Sequence, residues 1–361
     1  MYHAVDLTIA FLIAVSSTFL LVFPVKKLAV RLKIVDFPND RKIHKQVTPR
    51  LGGLAIFIGV VLGALYLRPS HEHLPEITLG AFVIIATGMI DDRFGVRPAI
   101  KLTGQLIAAS FLLSSGLIIE KITLPFLGMI DLGFFSVWIT VLWVVCVTNA
   151  INLIDGLDGL ATGVTTIALI CIFVMAIIDA RYIVQALAIV MIGANLGFLP
   201  HNFYPAKIYM GDTGSNFLGY MVAVVSMLGL FKNITLFSFI IPIIILAIPI
   251  FDTLFAIVRR AYNRQSIMKP DRKHVHYQLI DLGYSHRQTV IIIYVFSALF
   301  GVMGILFSEV SRTLSIVIAA FIILLLHLFA EISGIVFGGR RPLSNLITKP
   351  FRKKPKQNQD N

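Results

Sequence analysis

An all-α, polytopic membrane protein is the fold class this sequence predicts, on three observations. Apolar residues make up 57% of the chain and charged residues 14%, against roughly 45–50% and a quarter in ordinary globular domains. Apolar stretches recur at close to the ~20 residues that a hydrocarbon core about 30 Å thick requires of a helix. The charged and turn-forming residues fall between those stretches, and the basic ones crowd into alternate connections.

The first stretch covers 5–25. The preceding "MYHAVD" lacks a basic n-region and no small-residue cleavage site follows, so this segment is expected to remain as a helix. Further stretches cover 52–67, 75–90, 99–118, 134–149, 160–178, 182–199, 215–231, 234–258, 288–308 and 313–336, giving about eleven spans. In the ninth, Pro242 and Pro249 each remove a backbone donor, which predicts a bend and a lipid-facing groove beside it. Cys146 and Cys171 lie inside spans with neither disulfide nor metal-ligand spacing, and are read as packing residues.

Charge fixes the orientation. With the N-terminus outside, 26 of the 31 Lys and Arg fall in 26–50, 91–101, 198–215, 259–287 and the C-terminal tail. Only Arg68, Lys121, Arg181, Lys232 and Arg312 fall on the other side. The positive-inside rule therefore predicts an outer N-terminus and a cytoplasmic C-terminus. Residues 1–337 read as one transmembrane catalytic domain and 338–361 as a basic cytoplasmic tail. The net charge of +12 then serves topology and attraction to anionic headgroups, and a nucleic-acid partner is excluded for so apolar a chain.

On this topology four polar clusters share the cytoplasmic face: "DDRFGVRP" from Asp91, "NAINLIDGLDGL" from Asn149, "HNFYPAKIYMGDTGSN" from His201 and "MKPDRKHVHYQ" from Met268. A transporter tends to bury its ionisable groups near the midplane, whereas these sit at span ends, which points to chemistry at the interface. Taken singly, Asp155 or Asp158 reads as an ordinary helix N-cap. The adjoining Gly156 and Gly159 permit a tight turn and a close approach to phosphate oxygens. Asn149, Asn152 and Asp155 share one face if the helix continues through them, and their oxygens suit a hard cation. Asp212 lies between glycines, with Ser215 available to cap the next helix. Mg²⁺ takes one or two carboxylates and fills its octahedron with water and substrate phosphate, which Asp212 and Asn152 can satisfy. His274 and His276, with Arg272 and Lys273, form a basic patch nearby; a zinc site is disfavoured because no Cys joins them.

In order and spacing, "RKIHKQVTPRLGG", "GMIDDRFGV", "NAINLIDGLDGLATG", "NFYPAKIYMGDTGSNFLG", "PIFDT" and "DRKHVHYQL" resemble the polyprenyl-phosphate N-acetylhexosamine-1-phosphate transferases, from about residue 35 to 280. "TPRLGG" is similar to the branch that uses UDP-N-acetylglucosamine to start teichoic acid linkage units, O-antigen or enterobacterial common antigen. The branch using UDP-N-acetylmuramoyl-pentapeptide usually carries "GTPTMGG" and three consecutive histidines, both absent here. Tyr277 stands where the sugar-selective branch commonly has a further His.

The resemblance implies transfer of N-acetylglucosamine 1-phosphate from UDP to undecaprenyl phosphate, with release of UMP, at the bacterial plasma membrane. It also implies Mg²⁺, with Mn²⁺ as a substitute, and leaves a homodimer open. It assigns Asp212 and Asn152 to the metal, with Asp155 at or just behind it. His274, His276 and Arg272 go to phosphate oxygens, Asp158 to the uracil N–H and Tyr209 to stacking on the base. Asn149 is a further substrate-binding candidate, and Lys207 either reaches a phosphate or anchors its loop to headgroups. Asp91 and Asp92 are candidates for the base acting on the lipid phosphate. That phosphate is already largely ionised at neutral pH, with a second pKa of about 6, so electrostatic organisation is the alternative. Two like charges at 4 Å repel by about 4 kcal/mol at an effective dielectric near 20, which cations at the site must offset. The competing readings are the pentapeptide branch and, from another class, a transporter or ion pathway with an acidic inner gate.

Overall fold

The computed structural model describes residues 2–36, 47–124, 128–229, 240–266, 274–309 and 312–333. In chain order these form α1 (Ala4–Arg31), the strands β1 (Val35–Asp36) and β2 (Thr48–Pro49), α2 (Gly52–Leu67), α3 (Leu74–Phe94) and α4 (Pro98–Ser114). There follow the strands β3 (Lys121–Leu124) and β4 (Gly128–Asp131), then α5 (Phe135–Ile154), α6 (Leu160–Ile178), α7 (Tyr182–Asn202) and α8 (Gly211–Gly229). The chain continues through α9 (Ile240–Ile245), α10 (Ala247–Tyr262), α11 (Val275–Asp281), α12 (His286–Glu309) and α13 (Arg312–Ser333). The protein is a polytopic, all-α membrane protein. Among the described residues seven helices, α1, α3, α5, α6, α7, α12 and α13, are long and apolar enough to cross a bilayer, and α2 and α4 are apolar but shorter.

Ten of the eleven predicted stretches coincide with a single helix each. The ninth, where it is described from Ile240 on, is two helices, α9 and α10, separated at Leu246. Pro249 has no N–H to offer Ile245, so the backbone ladder fails between the two prolines, as their spacing predicts. The connection between α4 and α5 holds a hairpin, with Lys121 opposite Asp131 and Ile122 opposite Ile130.

Every residue of α8 is buried. It is the axis of the bundle, packed against α2, α3, α5 and α6, and a helix enclosed on all sides needs no polar face. Small residues let its neighbours reach its first turn: a Cβ on Gly53 of α2 would collide with the backbone of Gly214, and one on Gly88 of α3 with that of Thr213. The ends of α3, α5 and α7 and the starts of α2, α4, α6 and α8 therefore meet at one end of the bundle. The alternation of loops inferred from charge places the polar clusters on that same end.

Helix boundaries differ from the sequence expectation where these clusters lie. Asp91 and Asp92 belong to the last turn of α3, and α5 extends past Asn152 to Ile154, leaving Asp155 as its C-cap. Neither Asp155 nor Asp158 caps α6, which starts after Gly159 at φ +79°. Ser215 does not cap α8: the helix already begins at Gly211, so Ser215 sits in its second turn and donates to Gly211 O at 3.1 Å.

Candidate active site

Asp92 closes the N-terminus of α8 from another helix. Its Oδ1 accepts Asp212 N–H at 2.8 Å, and its Oδ2 accepts Thr213 N–H at 2.9 Å and Thr213 Oγ1–H at 2.6 Å. A carboxylate in the last turn of α3 faces the negative end of its own helix dipole; the positive end of α8 offsets that cost. Arg50 adds a second compensation, with Nε 3.1 Å from Asp92 Oδ1 and Nη2 2.5 Å from Asp212 Oδ1. Asp92 has no exposed side-chain surface, whereas the Arg50 side chain is 39% exposed.

Lys101, in the first turns of α4, bridges the other oxygens. Its Nζ lies 3.1 Å from Asp91 Oδ2 and contacts Asp212 Oδ2 directly. Asp91 also accepts Val96 N–H at 2.8 Å, which closes the loop after α3 over it. Backbone pairing carries Arg50 to this place: Tyr209 N–H donates to Pro49 O, and Gly52 and Gly53 donate to Tyr209 O and Met210 O. The "TPRLGG" and "IYMGD" segments thus form one ribbon running into α2 and α8.

Asn152 Nδ2 donates to Ser215 Oγ at 2.8 Å, one turn along α8 from Gly211 and Asp212. Asn149 Nδ2 donates to Gln105 Oε1 at 2.7 Å and to Val145 O at 2.8 Å. Asp155 is half-buried, and burial pushes its carboxyl well above the usual range; Arg50 opposes the shift while Asp212, Asp92 and Asp158 add to it. Asp158 accepts Ala206 N–H at 2.9 Å and so fixes the loop between α7 and α8. The Tyr209 hydroxyl is pushed up to about 12, by burial first and by nearby Asp158, so it stays a neutral phenol.

His274 caps α11, and its Nδ1 lies 2.9 Å from Asp252 Oδ2, while Asp252 Oδ1 accepts Val275 N–H at 3.0 Å. These bonds tie Asp252, in the "PIFDT" block, to the histidine loop. His276 is 1% exposed, its two ring nitrogens have no hydrogen-bond partner among the described residues, and a Cβ on Gly156 would meet its imidazole. Burial holds it down to about 4. His276 is neutral near pH 7 because its ring is desolvated against the Gly156 turn. Lys207 is exposed, with its amide bonded to His201 O, and makes no bond to the carboxylates among the described residues. Arg272 and Lys273 lie outside the described residues, as does the basic tail from 338.

Arg50, Lys101 and Gln105 are site residues that the sequence reading did not single out. Arg50 lies inside "TPRLGG", and Lys101 and Gln105 follow the Asp pair on the next helix; in the sequence each cation reads only as a topology charge. Four carboxyl groups, those of Asp91, Asp92, Asp155 and Asp212, meet two cations, Arg50 and Lys101, so acids outnumber cations at the site. Among the described residues, no group of three His, Cys, Asp or Glu side chains is arranged as a ligand set. The donors present are oxygens of carboxylate and amide, a set that fits a divalent cation that keeps much of its water.

Comparison with known proteins matches residues 74–230 to the family described as glycosyl transferase family 4. A Bacillus subtilis protein named as a probable undecaprenyl-phosphate N-acetylglucosaminyl 1-phosphate transferase is 43% identical over 98% of both chains. A Mycobacterium tuberculosis decaprenyl-phosphate N-acetylglucosaminephosphotransferase is 35% identical over 88% of this chain and 87% of its own. The Escherichia coli K12 undecaprenyl-phosphate alpha-N-acetylglucosaminyl 1-phosphate transferase is 29% identical over 80% of each.

Proposed function

The chain belongs to glycosyl transferase family 4 and to the polyprenyl-phosphate N-acetylhexosamine-1-phosphate transferases within it, and we propose that it transfers N-acetylglucosamine 1-phosphate from UDP-N-acetylglucosamine to undecaprenyl phosphate. The observation that carries this reading is the likeness over nearly the whole chain to proteins named for that reaction. The convergence of its sequence motifs on one end of the bundle supports it. An oxygen of the lipid phosphate attacks the sugar-bearing phosphorus of the nucleotide. The bond from that phosphorus to UMP breaks, and UMP leaves as the anion.

Asp212 and Asn152, with Asp155 beside them, are the residues that would hold Mg²⁺ or Mn²⁺. Such an ion, when bound, supplies charge neutralisation to the diphosphate. Arg50 and Lys101 bring positive charge to the same end, where two anionic substrates must approach each other. Asp158 and Tyr209 are assigned to the base, and His274, His276 and Arg272 to phosphate oxygens. The active end faces the cytoplasm, on the strength of the basic loops. The "TPRLGG" block favours a surface glycopolymer, the wall teichoic acid linkage unit, as the destination.

The test is turnover by purified protein in detergent with labelled UDP-N-acetylglucosamine, undecaprenyl phosphate and Mg²⁺. Labelled lipid and UMP are expected. Lipid labelled from UDP-N-acetylmuramoyl-pentapeptide instead would reassign the branch, and no labelled lipid from either sugar would overturn the reading. Asp212→Asn is expected to fold and lose turnover by at least about a hundredfold, since it weakens a carboxylate donor while keeping its shape. Near-wild-type turnover at both low and saturating Mg²⁺ would remove Asp212 from the metal.

A further inference from the structure

Beneath the carboxylates lies a second polar layer. Three helices each present two polar side chains a single turn apart: Lys101 and Gln105 on α4, Asn149 and Asn152 on α5, and Asp212 and Asn216 on α8. Residues three or four apart lie one above the other on a helix face. Lys101, Asn152 and Asp212 form the upper tier, at the site. Gln105, Asn149 and Asn216 form the lower, one turn deeper in the bundle.

The lower tier is a chain of carboxamides bonded in one direction. Asn149 Nδ2 donates to Gln105 Oε1 at 2.7 Å, and Gln105 Nε2 to Asn216 Oδ1 at 3.2 Å. Asn216 Nδ2 donates to the main-chain oxygen of Asp212 at 2.8 Å. Gln105 is 2% exposed and Asn216 is 5% exposed. A carboxamide donates at one end and accepts at the other, so a run of three is polarised and each bond strengthens the next.

We propose that Gln105 is a positioning residue of the active site: it fixes the rotation of α4 against α5 and α8, so that Lys101 meets Asp91 and Asp212. Two features separate this from amides that merely satisfy one another between helices. The chain ends on Asp212 itself, and Gln105 stands directly beneath the lysine it aims. Asn149 then belongs to the support of the site, since its amide nitrogen is committed to Gln105 and Val145. A turn of α4 by a fraction of a residue would carry the ammonium away from both carboxylates, and misplacement of a reacting or charge-stabilising group by about 1 Å costs on the order of a hundredfold in rate.

The proposal rests on the transferase reading, and the experiment separates the two. Turnover is measured for wild type, Gln105→Met, Lys101→Met, the double variant and Gln185→Met. Gln185 is a buried glutamine bonded to Ala176 O at the opposite end of the bundle. Gln105→Met is expected to lower kcat by about tenfold to a hundredfold while KM for the UDP-sugar stays within about threefold. Adding it to Lys101→Met should cost little more, because the two act through one alignment. Gln185→Met should keep the wild-type kcat. Wild-type kcat in Gln105→Met, or a double variant whose losses multiply, would overturn the proposal while leaving the transferase reading intact; an inactive wild type would sink that reading first. If Gln105→Met does not fold, Gln105→Glu, which keeps the acceptor facing Asn149, is held to the same criteria. Should neither fold, Gln105 is a folding determinant and the assignment falls.

Discussion

Asp91 and Asp92 are adjacent in sequence, yet their carboxylates meet different surroundings. Asp92 has no exposed side-chain surface and is committed to three donors at the start of α8 and to Arg50. Asp91 is held by Lys101 and one amide and keeps 10% of its side chain exposed. Asp92→Asn is expected to cost on the order of 1–3 kcal/mol of stability, seen as a lower unfolding midpoint in detergent, and to slow turnover, because an amide cannot accept every one of those bonds. A wild-type midpoint would mean that the α8 cap is dispensable. Asp91→Asn is expected to be slower at every pH between about 5.5 and 8 while retaining an acid limb near the second phosphate pKa of about 6. A profile that goes flat on the acid side would instead mark Asp91 as the base. His276 supplies a separate pH dependence. Its folded value of about 4 lies below the ordinary value of about 6.5, so the unfolded chain binds the proton first. Its contribution is complete above about pH 6.5 and is lost as pH falls toward 4, amounting to up to about 3 kcal/mol. His276→Gln should therefore show a shallower loss of midpoint between pH 6.5 and about 4 than wild type, and parallel curves would show that His276 does not set the slope.

At the scale of elements, the site depends on how closely α2 and α3 approach the start of α8. Gly53 meets backbone, which cannot move aside as the end of a flexible side chain can. Gly53→Ala is expected to cost about 1–3 kcal/mol of stability and to lower kcat as well, because Arg50 sits three residues earlier on the same ribbon. An unchanged midpoint and kcat would show that the ribbon tolerates displacement. The elements also mark where sequence reading stops. The spans and the break between Pro242 and Pro249 are written locally, in hydropathy and in missing donors. The boundaries at Asp91, Asp155 and Ser215 are not, since the α8 cap comes from Asp92, on another helix and 120 residues away in sequence. A local pattern assigns the cap to whichever polar residue lies nearest.

For the whole molecule, the distribution of basic residues predicts that His71 and Glu120 lie outside and that Lys45, Arg93, Lys207 and Lys273 lie inside. The check is single-cysteine labelling with an impermeant thiol reagent on intact cells, in a background with Cys146 and Cys171 replaced. Reaction at 71 and 120 but not at 93 or 207 is expected, and labelling at 93 or 207 before permeabilisation would reject the orientation. The helix ends that bear the polar motifs gather at one end of the bundle.

The sequence by itself determined that this is a helical membrane protein, roughly where most of its spans lie, and the family to which its motifs belong. Each of those signals is either a local average or a short ordered string, and neither requires knowledge of what packs against what. Only the tertiary structure decided which charges meet. Arg50 and Lys101 reach Asp212 across 162 and 111 residues of chain, and in the sequence both look like any other basic residue of a positively charged loop. A lysine facing headgroups and one facing carboxylates have the same neighbours along the chain; the packing of α2, α3, α4 and α5 around α8 tells them apart.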